Sequence, residues 1–119
     1  MYRYVVYGTY GWLLLGGTMH LAIDVVSQYV RGKRTPGPET TLYFGMHIAY
    51  GLGHIFLGLL GLLVARRALD VLVQWPTVLL CVAASACWLV FSSIFTEYWE
   101  PKVIAVVFGA LAVASAVLA

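Results

Sequence analysis

His20 and Asp24 stand four residues apart in one apolar stretch, and His47 and His54 stand seven apart in the next. On a helix, a spacing of four stacks two side chains on one face, and a spacing of seven places them two turns apart on one face. A carboxylate one turn from an imidazole orients the ring, fixes its tautomer and raises its basicity. That is equipment for general acid–base chemistry, with His20 as the principal proton-transfer or hydrogen-bonding group, Asp24 its orienter and His47 facing them. The same residue types offer nitrogen and oxygen ligands to a metal. They also offer one imidazole from each of two helices as axial ligands to a haem. No compact HxxxH or HxxEH motif occurs, so no metal-ligand set is assigned and no cofactor is identified. No serine or cysteine is paired with a histidine as an activated nucleophile, which argues against acyl chemistry.

These residues lie where polar groups are expensive. The chain has 119 residues, of which 62% are hydrophobic and only 10% charged. Its mean hydropathy is +0.91. A soluble domain carries about 25% charged residues, and this chain would have too little polar surface to show to water. An ionisable side chain held in hydrocarbon marks a functional position. The net charge of +2 and the absence of a basic, aromatic-interleaved run exclude nucleic acid as a partner. Cys81 and Cys87 fall about 120° apart around one helix, too far around the axis to bond each other, and read as small core residues.

Four long apolar stretches predict an all-α, polytopic four-helix transmembrane bundle forming one domain over residues 1–119. The expected helices cover about 4–29, 41–65, 76–96 and 102–119. The N-terminal run is far longer than a signal-peptide core and reads as a retained first span. Two prolines and two glycines break the chain between Arg31 and Thr40, after which Thr40 or Thr41 is expected to cap the second helix. Pro76 suits the first turn of the third. Ala68–Trp75 reads as a short interfacial helix or loop. Tyr2, Tyr4, Tyr7 and Trp75 mark one membrane interface, and Tyr29, Tyr43, Tyr98 and Trp99 the other. Both termini fall on one side. Lys and Arg divide three against four between the two sides, so orientation is weakly encoded. That balance also suits a dual-topology protein, for which a homodimer is the expected assembly.

Depth brings the polar residues together. At a rise of ~1.5 Å per residue from the first-loop face, Asp24 lies about 7 Å deep, His20 about 13 Å, His47 about 9 Å and His54 about 20 Å. Thr96, Ser92, Ser93 and Glu97 end the third helix on that face. The expected cavity therefore lies between the first three helices. Its walls are His20, Asp24, His47 and His54, with Tyr50, Ser93 and Glu97 as further ligand-binding residues. The fourth helix, polar only at Ser115, reads as support packed through Ala105, Gly109, Ala112 and Ala116. Gly51, Gly58 and Gly61 share the His47 face, and Gly45, Ala49 and Gly53 form a neighbouring ridge. Both suit close helix packing.

In outline the chain looks like the small multidrug transporters, which makes a proton-coupled transporter one alternative. The glutamate that family carries in the middle of its first helix is absent, with His20 and Asp24 nearer one end. The chain also resembles the compact four-helix membrane proteins grouped as DoxX-like and EXPERA-like, on its four helices and on His20, Asp24, His47 and His54 within them. That resemblance implies a lipid-, sterol- or isoprenoid-like ligand near mid-membrane, and in some members isomerase activity. The paired glutamates of the isomerases are replaced here by Asp24 and, at the edge, Glu97. The functional expectation is an integral protein of a cell or cytoplasmic membrane whose His/Asp-lined cavity binds or acts on a hydrophobic small molecule. Proton transfer of an isomerase type is the reaction this allows, with a haem- or metal-binding subunit as the alternative.

Overall fold

The computed structural model describes all 119 residues and contains helices only. Four helices are long and apolar enough to cross a membrane: Tyr2–Val30, Pro38–Arg67, Trp75–Phe95 and Glu100–Leu118. They run up and down in a bundle with extents of 50 × 25 × 18 Å. The long axis exceeds the ~40–45 Å of a bilayer with its headgroups.

Local chemistry sets the ends. Pro38, Pro76 and Pro101 each sit in the first turn of a span, where a missing N–H breaks no helical bond. The second helix begins at Pro38, earlier than Thr41. The Thr40 and Thr41 hydroxyls donate to the carbonyls of Thr35 and Gly37, and neither caps a backbone N–H. The first span stops at Gly32, whose φ of +60° is free of strain without a Cβ. Gly32 N–H then reaches Tyr29 O and Lys33 N–H reaches Gln28 O, which satisfies two terminal carbonyls. Leu69–Leu72 forms a short helix between the second and third spans.

The first span packs closely along both the second and the fourth, and the fourth along the third. The second and third spans scarcely approach through their backbones, and aromatic side chains fill the gap between them. Tyr50 lies nearly parallel to Phe91 at 5.4 Å, and His54 lies 4.1 Å from Trp88. Val6, Tyr10, Leu13, Ala65, Leu72 and Phe108 form an apolar core in the half of the bundle remote from the first loop. Polar bonds tie the fourth span to its neighbours: Trp12 Nε1 donates to Ile104 O at 3.0 Å, and Ser85 Oγ to Ala105 O at 2.6 Å. Ala105, Gly109 and Ala112 are buried there, and Ala116 is half-buried.

Glycines on the second span make the closest contact. A Cβ on Gly58 would stand 2.8 Å from Leu14 N and 2.9 Å from Tyr10 O, and one on Gly17 would stand 2.7 Å from Gly51 O. Backbone atoms cannot swing aside as a side-chain tip can. Gly45 and Gly53 are exposed with open space around them, so the Gly45–Ala49–Gly53 ridge expected to pack is not a packing face. Gly58→Ala should therefore destabilise the protein by about 1–3 kcal/mol as the spans are forced apart. Gly53→Ala should change stability by no more than about 0.5 kcal/mol. Unfolding in detergent micelles compares the two, and equal effects would refute this packing.

Candidate intramembrane acid–base site

The contact at Gly17 and Gly51 brings the polar residues of the first and second spans together. His20, Asp24 and His47 are all buried. Asp24 Oδ2 lies 2.9 Å from His20 Nδ1, and His20 Nε2 lies 2.9 Å from His47 Nδ1. The two imidazole centroids are 5.0 Å apart with planes inclined by 22°. That separation is one hydrogen bond plus a ring radius at each end. The rings therefore meet edge to edge, and the bond between them is nearly in line.

The donors follow in order. As a carboxylate Asp24 can only accept, so His20 carries a proton on Nδ1. Neutral His20 then presents the Nε2 lone pair, and His47 donates to it from Nδ1. When His20 is protonated it donates from both nitrogens. A proton entering at one end can thus leave at the other without either ring moving. His47 packs on Tyr43 at 4.1 Å, and the Arg34 guanidinium lies 3.3 Å from the centre of that same ring. Arg34 is held in turn by Gln28 Oε1 at 3.0 Å. The chain of polar groups therefore runs from within the bundle toward the first loop.

A regular helix does not produce this arrangement. Leu21–Val26 is a π turn, with Ser27 N–H bonded to Ala22 O. A π turn adds one residue to the coil and carries the next turn about 100° around the axis relative to a regular helix. Gln28, four residues beyond Asp24, meets Arg34 of the loop. The Tyr43 hydroxyl makes a long contact of 3.5 Å to Asp24 O within the turn.

The expected single cavity is divided: Tyr50 lines a space of about 420 Å³ between the second and third spans, with Trp88 and Phe91, while His20 and Asp24 face a different space. A space of about 400 Å³ sits between the first and fourth spans, with His20 and Asp24 on one side and Pro101, Ile104 and Glu100 on the other. The fourth span lines the site as well as supporting the bundle, because the first span packs against it directly and the third does not reach the His20 face. Met19 and Ile23, at the cavity edge, are exposed, so the opening faces sideways, where lipid would be. Tyr98 closes one end, and its buried hydroxyl stands beside the Asp24 carboxylate and the Tyr43 hydroxyl without a hydrogen bond of ordinary geometry to either. Burial, and next the Asp24 carboxylate, push this phenol well above the ordinary tyrosine range and keep it a neutral donor.

Other expected site residues are placed differently. His54 is buried, but its Nδ1 donates to Tyr50 O at 2.9 Å and its Nε2 has no partner. Tyr50 lies 4.8 Å from His20 and 4.3 Å from His54, and its buried hydroxyl is likewise unpartnered. Ser93 is exposed, and its hydroxyl bonds to Leu89 O of its own helix. Glu97 is exposed, and neither it nor Ser93 lines the cavity. Tyr98, read from the sequence as an interface aromatic, takes the place expected for Glu97. The only clue to it was its position in the turn beside Glu97.

The donor atoms of His20, Asp24 and His47 lie within 4.8 Å of one another. Two imidazoles on one zinc ion both point at the ion, ~2.0–2.1 Å away. Here the two nitrogens point at each other, and Asp24 already occupies the far side of His20. The geometry is that of a hydrogen-bonded chain, and it leaves no room for a porphyrin between His20 and His47. No family model matches this protein, and no curated protein or solved structure is significantly similar to it. The likeness to compact four-helix families therefore rests on architecture and buried polar residues alone.

Nitrogen-15 spectra of the imidazoles should show His20, His47 and His54 all as Nδ1–H tautomers at neutral pH. Asp24→Leu should abolish that preference at His20 and leave His54 unchanged, because a backbone carbonyl holds His54. A wild-type His20 protonated on Nε2 alone would contradict the assigned order of donors.

Proposed function

We propose that this chain is an integral protein of a cell or cytoplasmic membrane that binds a lipophilic small molecule between its first and fourth spans and exchanges a proton with it. One observation carries the reading: Asp24 and His20, the first two members of a buried carboxylate–imidazole–imidazole chain, line a cavity that opens sideways from the bundle. Cavities of ~300–1,000 Å³ with apolar walls and a few convergent polar groups are typical small-molecule sites, and the space here is about 400 Å³. An apolar ligand enters sideways between Met19 and Ile23 without crossing water. Its polar end meets Asp24, which is backed by His20.

In this reading Asp24 is the group that touches the ligand. It takes a proton from one position of the ligand or returns one to another, and His20 balances the charge through Nδ1. His47 accepts or supplies the second proton and connects the pair to the loop side, past Tyr43. A shift of a double bond within the ligand needs no more than this, since the proton removed and the proton returned balance. General acid–base groups of this kind contribute ~10²–10⁴-fold to rate.

Protein purified in a mild detergent should carry a lipophilic molecule detectable by mass spectrometry. Ile104→Trp, which fills the cavity, should lower its occupancy. Asp24→Ala, which removes an ionic hydrogen bond of ~1.5–3 kcal/mol, should weaken retention about tenfold or more. Retention of the same species at the same level in both variants would overturn the reading.

A further inference from the structure

We infer that Arg34 and Tyr43 are positioning residues for the proton chain: the guanidinium clamps the phenol ring over His47, and the clamped ring sets how fast His47 exchanges its proton with water from the first-loop side. The inference rests on the acid–base role proposed above and deepens it. It comes from how one ring is held. The Tyr43 ring centre lies 4.1 Å from that of His47 and 3.3 Å from the Arg34 guanidinium carbon. Neither group can come so close at the edge of the ring, where the ring's own atoms stand in the way. The two cannot share one face at those distances without overlapping. Tyr43 is therefore sandwiched, with the imidazole on one face and the guanidinium on the other. A cation over a tyrosine face is held by the negative charge of that face.

The clamp is anchored to the end of the first span. Arg34 Nε donates to Gln28 Oε1 at 3.0 Å, and Lys33 N–H donates to Gln28 O, which turns the loop back over that helix end. Arg34 itself stays exposed. The Tyr43 hydroxyl makes only the long contact of 3.5 Å to Asp24 O, so the two faces of the ring, and not its hydroxyl, fix it. His47 gives Nδ1 to His20. Its Nε2 has no partner in the protein and is not fully enclosed, although the residue as a whole is only 3% exposed. Asp24 ends the chain at the lateral cavity, and His47 ends it at a narrow outlet beside the clamped ring. The relay goes no deeper. His54, the next polar group, commits Nδ1 to Tyr50 O and bonds to neither His20 nor His47. The apolar core around Leu13 and Phe108 fills the half beyond.

The test is nitrogen-15 spectroscopy of the full chain in detergent micelles. It reads the exchange of the His47 ring N–H with water in wild type, Arg34→Ala, Tyr43→Ala and Tyr43→Phe, with the His54 ring N–H as internal reference. Arg34→Ala removes the clamp from an exposed loop position. It should speed His47 exchange by about two- to thirtyfold, the range of one cation–π contact. Tyr43→Ala removes the ring and should speed it at least as much. Tyr43→Phe keeps both faces and should exchange as wild type does. His54 should be unchanged in all three variants. Wild-type exchange at His47 in Arg34→Ala overturns the clamp. So does a parallel acceleration at His54, because it marks a loosening of the whole bundle. The measurement uses no ligand, so either result leaves the lipophilic-ligand reading to its own test.

Discussion

The distance between two backbones governs this bundle. Gly17 on the first span faces Gly51 on the second so closely that a single added carbon would stand 2.7 Å from a carbonyl oxygen. In lipid, helices gain little from merely hiding apolar side chains from each other, so small residues and direct packing determine how near they come. Because the spans touch here, His20 on one and His47 on the other lie within a hydrogen bond, and neither has to reach across a gap or recruit water. A wider interface of the kind seen between the second and third spans, filled by Tyr50, Phe91 and Trp88, would have left the two imidazoles apart.

Burying an ionisable group away from water is tolerable only when its hydrogen bonds are made elsewhere. The protein meets that condition unevenly. His20 is satisfied on both ring nitrogens by Asp24 and His47, and the Tyr10 hydroxyl finds Cys81 Sγ at 3.5 Å in the opposite half. Tyr50, His54 and Tyr98 each keep a buried polar atom without a partner. Two of the three are on the periphery of the His20 cluster, and the third closes the cavity. The apolar core around Leu13 and Phe108 occupies the other half of the bundle. The result is a polar half that communicates with the first loop and an apolar half that closes the far end.

The π turn shows how a local irregularity serves this arrangement. Nothing in Leu21–Val26 resembles the proline or glycine that usually marks a broken helix. The irregularity lies where Asp24 must sit beneath His20 while the chain beyond it returns to the loop to meet Arg34. π turns are rare and are found disproportionately at functional sites, and here one contains the only carboxylate of the cluster.

Helix number, approximate helix limits and the side on which polar residues gather were all legible in the chain, because each depends on local composition and on the constant rise of a helix. The depth argument placed His20 between His47 and His54 on that basis alone. Three features were not legible. Whether Gly51 or Gly53 faced a neighbour depended on which ridge the first span chose, and both ridges offered small residues on one helix face. The π turn left no local signature. The fourth span's place beside His20, and with it the roles of Ile104, Pro101 and Tyr98, came from the order in which the helices pack around the first. Sequence alone determined what each helix is and how deep each polar group lies, since hydrophobicity and helical rise act residue by residue. Only the tertiary structure decided which faces meet, because that choice depends on side chains fitting together from segments far apart in the chain.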